Sequence, residues 1–101
     1  LISLIPVQVE DQTFLGVSVA LPKTNLLAIT NNIGYIMCGA LDVALLNKQL
    51  KGRKIIAGRA VGVKTIEELL AAPLESVTAE AENLGIKAGM IGLEALLKMK
   101  E

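Results

Sequence analysis

Between Tyr35 and Thr65 two short apolar runs flank a helical register, and this stretch constrains the fold more than any other. The first run, Gly34-Tyr35-Ile36-Met37-Cys38, passes through Gly39-Ala40-Leu41-Asp42 into a helical register that continues to Leu50. The second, Lys54-Ile55-Ile56-Ala57, ends in Gly58-Arg59-Ala60-Val61-Gly62-Val63-Lys64-Thr65. Strand-length runs separated by about a dozen residues read as a crossover unit, whose strands pair in parallel. Parallel strands end on the same side, so Cys38 and the glycine turn are expected on one rim.

The residues before this unit read as strands. Val7 and Val9 alternate with Gln8 and Glu10, the period of a half-buried strand from Leu4 to Glu10. Pro6 supplies no ladder donor, which assigns that strand to an edge. A turn is expected at Asp11-Gln12, and Thr13 to Leu21 resumes the alternation, with Val17 and Val19 on one face and Ser18 on the other. Leu21-Pro22-Lys23-Thr24-Asn25 reads as a loop, Leu26 to Thr30 as a third strand, and Asn31-Asn32-Ile33-Gly34 as a reversal built from residues that tolerate left-handed backbone. With Tyr35 to Cys38 returning antiparallel, the front third is a four-stranded meander.

Four helices are expected after it. Asp42 is placed to cap the first, with Val43, Leu46 and Leu50 on one face and Gly52 ending it in the left-handed region. Thr65-Ile66-Glu67-Glu68 is a capping box that opens the second, and Pro73 stops it. Thr78 begins a short third helix closed by Gly85, and Gly92 to Met99 forms the last, with Leu93, Leu96 and Leu97 as its stripe. Ile86 to Ala88 reads as a short strand or an extended link. The whole is an α+β fold: a mixed sheet made of the meander plus one βαβ unit, with helices packed on one face in two layers. Residues 1–101 read as a single domain, β-rich over 1–38 and helix-rich over 39–101.

Composition narrows the function classes. Ten basic residues balance ten acidic ones, and Phe14 and Tyr35 are the aromatics, so neither a positive field nor stacking platforms favour nucleic acid. No apolar run is long enough to span a membrane. One cysteine makes no internal disulfide and no signal-peptide pattern opens the sequence, so a cytoplasmic protein is expected. Hydrophobic residues are 52% of the chain, more apolar surface than a small domain usually needs, and either an interface between copies, the simpler account, or a densely packed monomer accommodates the excess.

Three places carry candidate chemistry. Cys38 sits where a strand gives way to a helix, a position that favours thiolate, and with Asp42 it is the candidate catalytic pair. The competing reading is a small buried hydrophobe, because the chain has no histidine to serve as base and no ligand set for a transition metal. The second place, Gly58 to Thr65, imitates a phosphate loop but has the wrong spacing between its glycines and its lysine, which excludes that machinery. Glycines before a capped helix still offer amides to a small anion, with Arg59 and Lys64 as cations and Gly58 and Gly62 as the backbone; otherwise the glycines serve close packing. Lys23 and Asn25, in the polar loop, are the third candidates, set against plain turn chemistry. Charge is also segregated, with Lys48, Lys51, Arg53, Lys54, Arg59 and Lys64 preceding Glu67, Glu68, Glu75, Glu80 and Glu82, a pattern able to set register between copies. No cofactor and no metal are expected.

Three segments together, Leu21-Pro22-Lys23-Thr24-Asn25-Leu26-Leu27, Gly34 to Asp42 and Gly62-Val63-Lys64-Thr65-Ile66-Glu67-Glu68-Leu69-Leu70, closely resemble the YunC-like family of uncharacterised bacterial and archaeal domains. The likeness extends over Ala72-Pro73-Leu74-Glu75-Ser76-Val77-Thr78 and most of the chain. It implies a small α+β domain whose N-terminal β-rich part is a tetramerisation region, with no assigned activity and no catalytic residues to carry over. Ile91 stands where relatives carry a small hydroxyl residue, which weakens any polar role there. The expectation is a cytoplasmic homo-oligomer, a tetramer through its early strands, that binds a small anionic ligand or serves as a structural module; the alternative is a thiol-dependent enzyme or redox sensor using Cys38.

Overall fold

A computed structural model describes residues 1–39, 43–48 and 51–99. Its strands are β1 (Ile2–Val9), β2 (Gln12–Leu21), β3 (Thr24–Thr30), β4 (Tyr35–Met37), β5 (Ala57–Arg59) and β6 (Ser76–Val77), and they lie in one mixed sheet in sequence order. Helices α1 (Val43–Lys48), α2 (Ile66–Ala71), α3 (Ala79–Asn83) and α4 (Gly92–Leu97) are all short. β1 to β4 form the expected antiparallel meander, and β4 runs parallel to β5 with Tyr35 opposite Ala57 and Met37 opposite Arg59. The two-residue β6 was not anticipated; it pairs antiparallel with β5 through Val77 and Ser76, too short to leave a period in the sequence.

The inner face of the sheet carries Val7, Val9, Phe14, Leu27, Ile29 and Ile36, which pack with Ile66 and Leu69 of α2, Ala81 of α3 and Ala95 and Leu96 of α4 in one aliphatic core. Helix α1 lies on the other side, where Val43 and Leu46 cover Tyr35, Met37, Ile55 and Ala57. The reason is local: Tyr35, Met37 and Ala57 alternate with Ile36 and Gly58, so the parallel pair is apolar on both faces and needs cover on both. The meander has no such second cover from any described element. Its outer face shows Ile2, Leu4, Pro6 and Gln8 of β1, Leu15, Val17, Val19 and Leu21 of β2, and Thr24, Leu26, Ala28 and Thr30 of β3, as the register and alternation require. Val17 and Val19 therefore belong to the open face, whereas Phe14 and Gly16 share the core face with Ser18.

Several turns depart from expectation for identifiable reasons. The first hairpin turns at Glu10-Asp11, with Glu10 at φ 54, one residue earlier than the composition suggested. Lys54, at φ 54, takes the left-handed position after the short 3₁₀ turn Lys51–Arg53 that was assigned to Gly52. At the third turn the Asn31 carboxamide does the work: its Oδ1 accepts from the Ile33 and Gly34 amides at 2.9 and 3.0 Å, and its Nδ2 donates to the Met99 carbonyl at 2.6 Å. Gly34 is needed because a Cβ there would collide with the Ile56 carbonyl, not for a left-handed backbone. In α4, Leu93 is 41% exposed and the buried stripe is Gly92, Ala95 and Leu96. Residues 86–88 form no strand, while Asp42 and Leu50 lie outside the described residues.

Candidate functional site at the rim of the parallel pair

The C-terminal ends of β4 and β5 lie side by side, tied by the Ala60 amide donating to the Met37 carbonyl at 2.9 Å. Antiparallel β3 begins on this rim and β2 ends there, so the Leu21–Thr24 turn, the Cys38-Gly39 exit and the Gly62–Lys64 loop surround one concavity. Its volume is about 410 Å³, and Leu21, Thr24, Asn25, Leu26, Cys38, Gly39, Gly62, Val63 and Lys64 line it. Four of the residues singled out from sequence, Asn25, Cys38, Gly62 and Lys64, meet here. The Asn25 Nδ2 donates to the Lys64 carbonyl at 3.4 Å, joining the β3 wall to the loop wall.

Each wall has a local cause. Pro22 at the first turn position and Lys23 at φ 65 in the second give the β2–β3 hairpin its reversal, with lysine in a conformation that usually selects glycine or asparagine. Lys23 itself does not line the concavity. Gly62, at φ 76, bends the chain away from β5 toward α2, and open space surrounds its Cα. The Thr65 hydroxyl then accepts from the Glu68 amide at 3.1 Å and caps α2. The returning Glu68 carboxylate accepts from the Lys64 amide at 2.7 Å, one residue before the position a capping box usually uses. That bond occupies an amide that an anion would otherwise have met at the helix entry, so any charge recognition falls to lysine side chains.

Cys38 is 6% exposed, and its Sγ accepts from the Leu27 amide at 3.4 Å and lies 3.9 Å from the Asn25 carbonyl as donor. It forms the floor of the concavity and part of the inner core at once. Asp42, its expected companion, lies outside the described residues. Arg59 and Gly58 do not reach the concavity. The guanidinium of Arg59 donates from Nε and Nη2 to the Gly39 carbonyl at 3.3 and 3.2 Å and from Nη1 to Glu75 at 2.9 Å. It thus braces the Gly39 wall from behind. The Glu75 carboxyl is held below the usual glutamate range by the Ser76 hydroxyl, which donates at 2.7 Å, and by Arg59. Gly58 sits under Leu74, whose Cδ1 would be 2.7 Å from an added Cβ, which is the packing role. Arg59–Glu75 is the salt bridge among the described residues, so the ammonium groups of Lys23 and Lys64 make no ion pair there.

Sequence reading missed the apolar contributors. Leu21, Leu26 and Val63 wall the concavity, yet as ordinary aliphatic residues they carry no chemical signal. A second, shallower hollow of about 290 Å³ lies by Asn31–Ile56, where Arg53 and Lys54 flank Tyr35. Partial burial pushes the Tyr35 phenol above its ordinary range.

The profile of a domain of unknown function, DUF1805, matches residues 37–99. The uncharacterized protein YunC of Bacillus subtilis (strain 168) is 66% identical over 99 residues, covering 98% of each chain. The crystal structure of a protein of unknown function, TA1206 from Thermoplasma acidophilum, superposes with a TM-score of 0.88 at 27% identity, over 99% of this chain and 94% of that one. The likeness therefore spans the meander as well as the matched profile. No described helix is long and apolar enough to cross a membrane.

Proposed function

We propose that this chain, which belongs to the DUF1805 family, is a homo-oligomeric binding module whose rim concavity takes a small organic anion. The observation that supports the reading is the convergence of Asn25, Cys38, Gly62 and Lys64 on one concavity of about 410 Å³, within the range of small-molecule sites. Leu21, Leu26 and Val63 suit an apolar body, the Asn25 carboxamide and Thr24 hydroxyl suit polar substituents, and the Lys64 ammonium, which makes no ion pair among the described residues, suits one negative group. With a net charge of zero, attraction is local to that lysine and not a field of the whole molecule. Assembly through the β-rich part, as a tetramer in the cytoplasm, belongs to the same reading.

Thiol chemistry is the weaker alternative. The Cys38 Sγ is engaged by main-chain groups, and the carboxylate invoked to help it lies outside the described residues. The test is thermal unfolding in the presence of phosphate, sulfate, nucleotides and a series of short aliphatic and aromatic carboxylates. A binder present at about a hundred times its Kd adds about 2.7 kcal/mol to stability, an easily read rise in Tm. Lys64→Met should abolish the rise and leave the unliganded Tm within about 2 °C, as for an exposed side chain. A panel without any shift refutes the anion site.

A further inference from the structure

The geometry points to a second ligand site, at the end of the parallel pair opposite the rim concavity, that takes the phosphate monoester of a small apolar molecule. It is independent of the rim reading. The site is the hollow of about 290 Å³ between the turn at 31–34 and the segment at 53–56, where Tyr35 opens β4 and Ile56 precedes β5.

Both walls are held in place by the fold itself. The Asn31 carboxamide fixes the turn through the Ile33 and Gly34 amides and the Met99 carbonyl. With no Cβ, Gly34 lets that turn lie directly on Ile56, and the Tyr35 amide donates to the Ile56 carbonyl at 3.1 Å. The facing wall is tied by Thr78, whose hydroxyl donates to the Ile55 carbonyl at 2.7 Å. A hollow ordered in advance spends little of its binding energy on ordering. Because the Asn31 carboxamide and the amides of Gly34 and Tyr35 are engaged, recognition falls to the side chains of Tyr35, Arg53 and Lys54.

Arg53 and Lys54 make no ion pair among the described residues, and no acid lines the hollow. Glu80 lines a smaller neighbouring hollow together with Lys54 but forms no ion pair with it. Partial burial keeps the Tyr35 phenol protonated, a neutral donor between the two cations and the sheet. Two cations and one such donor match a dianionic phosphate, which arginine meets with parallel N–H bonds and lysine as a point charge. Ile33 is 37% exposed on the turn and, with Ile55, Ile56 and the Tyr35 ring, offers an apolar surface to the ester's other end. The volume stands at the low end of small-molecule sites, which suits a monoester and not a dinucleotide.

Lys54 adds an observation of a different kind. Its backbone is left-handed at φ 54, a conformation that glycine adopts freely and lysine only at a cost. Gly52 stands two residues earlier, yet the strained position holds a cation. Strain of this sort concentrates where a side chain is needed for binding.

Tyr35 is the only tyrosine and the chain has no tryptophan, so intrinsic fluorescence reports on this hollow directly. The full chain is titrated with monobutyl phosphate at constant ionic strength and about pH 8, above the second phosphate pKa of about 6. Inorganic phosphate and butanol serve as separate probes. Monobutyl phosphate should change the tyrosine emission saturably, with a Kd on the order of 0.1–1 mM because both cations are exposed. Inorganic phosphate should bind at least about threefold more weakly for want of the apolar body, and butanol should not bind. Arg53→Gln should weaken binding about tenfold, as for one lost charge-assisted bond. Lys54→Gly should weaken it about fivefold while the unliganded Tm stays level or rises, because the strain is relieved. Lys64→Met, in the rim concavity, should leave the Kd within about twofold. No saturable change, or one that butanol reproduces, overturns the site. Undiminished affinity in both Arg53→Gln and Lys54→Gly overturns it as well. Loss of binding in Lys64→Met assigns the ligand to the rim instead, so the two sites fail separately. Equal affinity for inorganic phosphate overturns the monoester.

Discussion

Thr78 offers the sharpest test of how the fold holds its rim in place. Its side chain is 2% exposed, and the Oγ1 hydroxyl donates to the Ile55 carbonyl at 2.7 Å while accepting from the Ala57 amide at 3.1 Å and the Ala81 amide at 3.3 Å. One oxygen therefore joins the approach to β5, the strand itself and the start of α3. Thr78→Val keeps the shape and removes all three bonds. Loss of the cap costs about 0.5–2 kcal/mol, and the orphaned Ala57 amide, buried against the sheet, costs about 1–3 kcal/mol more. The Ile55 carbonyl is only part-buried and regains water, so the total is about 2–5 kcal/mol, or about 10–25 °C in Tm for a chain of this size. Thr78→Ser retains the hydroxyl and loses one methyl, worth about 1 kcal/mol. The assay is urea unfolding at one protein concentration, followed by far-UV circular dichroism and read as a change in midpoint at constant slope. Valine and serine variants of equal stability would refute the assignment of the loss to the hydroxyl.

Two glycines should behave oppositely under the same substitution. A Cβ at Gly92 would come 2.5 Å from the Leu69 carbonyl and 3.0 Å from Ile36 Cδ1, so Gly92→Ala should cost about 1–3 kcal/mol by forcing α4 off α2, whereas Gly52→Ala meets nothing within 4 Å and should be neutral or up to about 1 kcal/mol stabilising by urea midpoint. Equal midpoints for the two variants would contradict the packing argument. Glu75 has its carboxyl pKa depressed, so its contribution is present above the ordinary glutamate range and is lost as pH falls through the folded value. Melts of the parent and Glu75→Gln from about pH 6 to about pH 3 should therefore converge at the acid end, and the gap at neutral pH should shrink in high salt because the pair is exposed. A gap that persists at low pH would assign the effect to packing.

The parts of this fold legible in the sequence are those where one physical requirement dominates. The parallel β4–β5 pair was readable because two apolar runs around a helical register have few other solutions, and the α2 start because Thr65 and Glu68 announce a cap. The sidedness of β2 was legible only in part: Val17 and Val19 fall on one face and Ser18 on the other, as the alternation requires, but nothing in the pattern says that the helices cover the face of Phe14 and Gly16. Both faces of the meander are aliphatic, so alternation fixes the period without fixing which side is buried. The same ambiguity concealed the position of α1. At the rim, the sequence identified Asn25, Cys38, Gly62 and Lys64 through their chemistry, but Arg59 and Gly58 through a pattern of glycines and cations that packing uses equally often. Arg59 turned out to brace the Gly39 carbonyl, and Gly58 to make room for Leu74.

These failures share a cause that bears on function. A half-buried strand normally reveals its core face because the other face is polar, and here that contrast is confined to the end of β1, where Val7 and Val9 alternate with Gln8 and Glu10, and is weak over β2 and β3. Sequence periodicity cannot separate a surface buried by the chain's own helices from one left for a second copy to bury, since both obey the same hydrophobic requirement. Val17 and Val19 have the composition of core, and they lie on the one broad aliphatic surface that no described helix covers. The rim concavity opens beside that surface, with Leu21 and Leu26 common to both, so a substitution on the meander that never touches a ligand should still alter binding at Lys64 if it alters assembly.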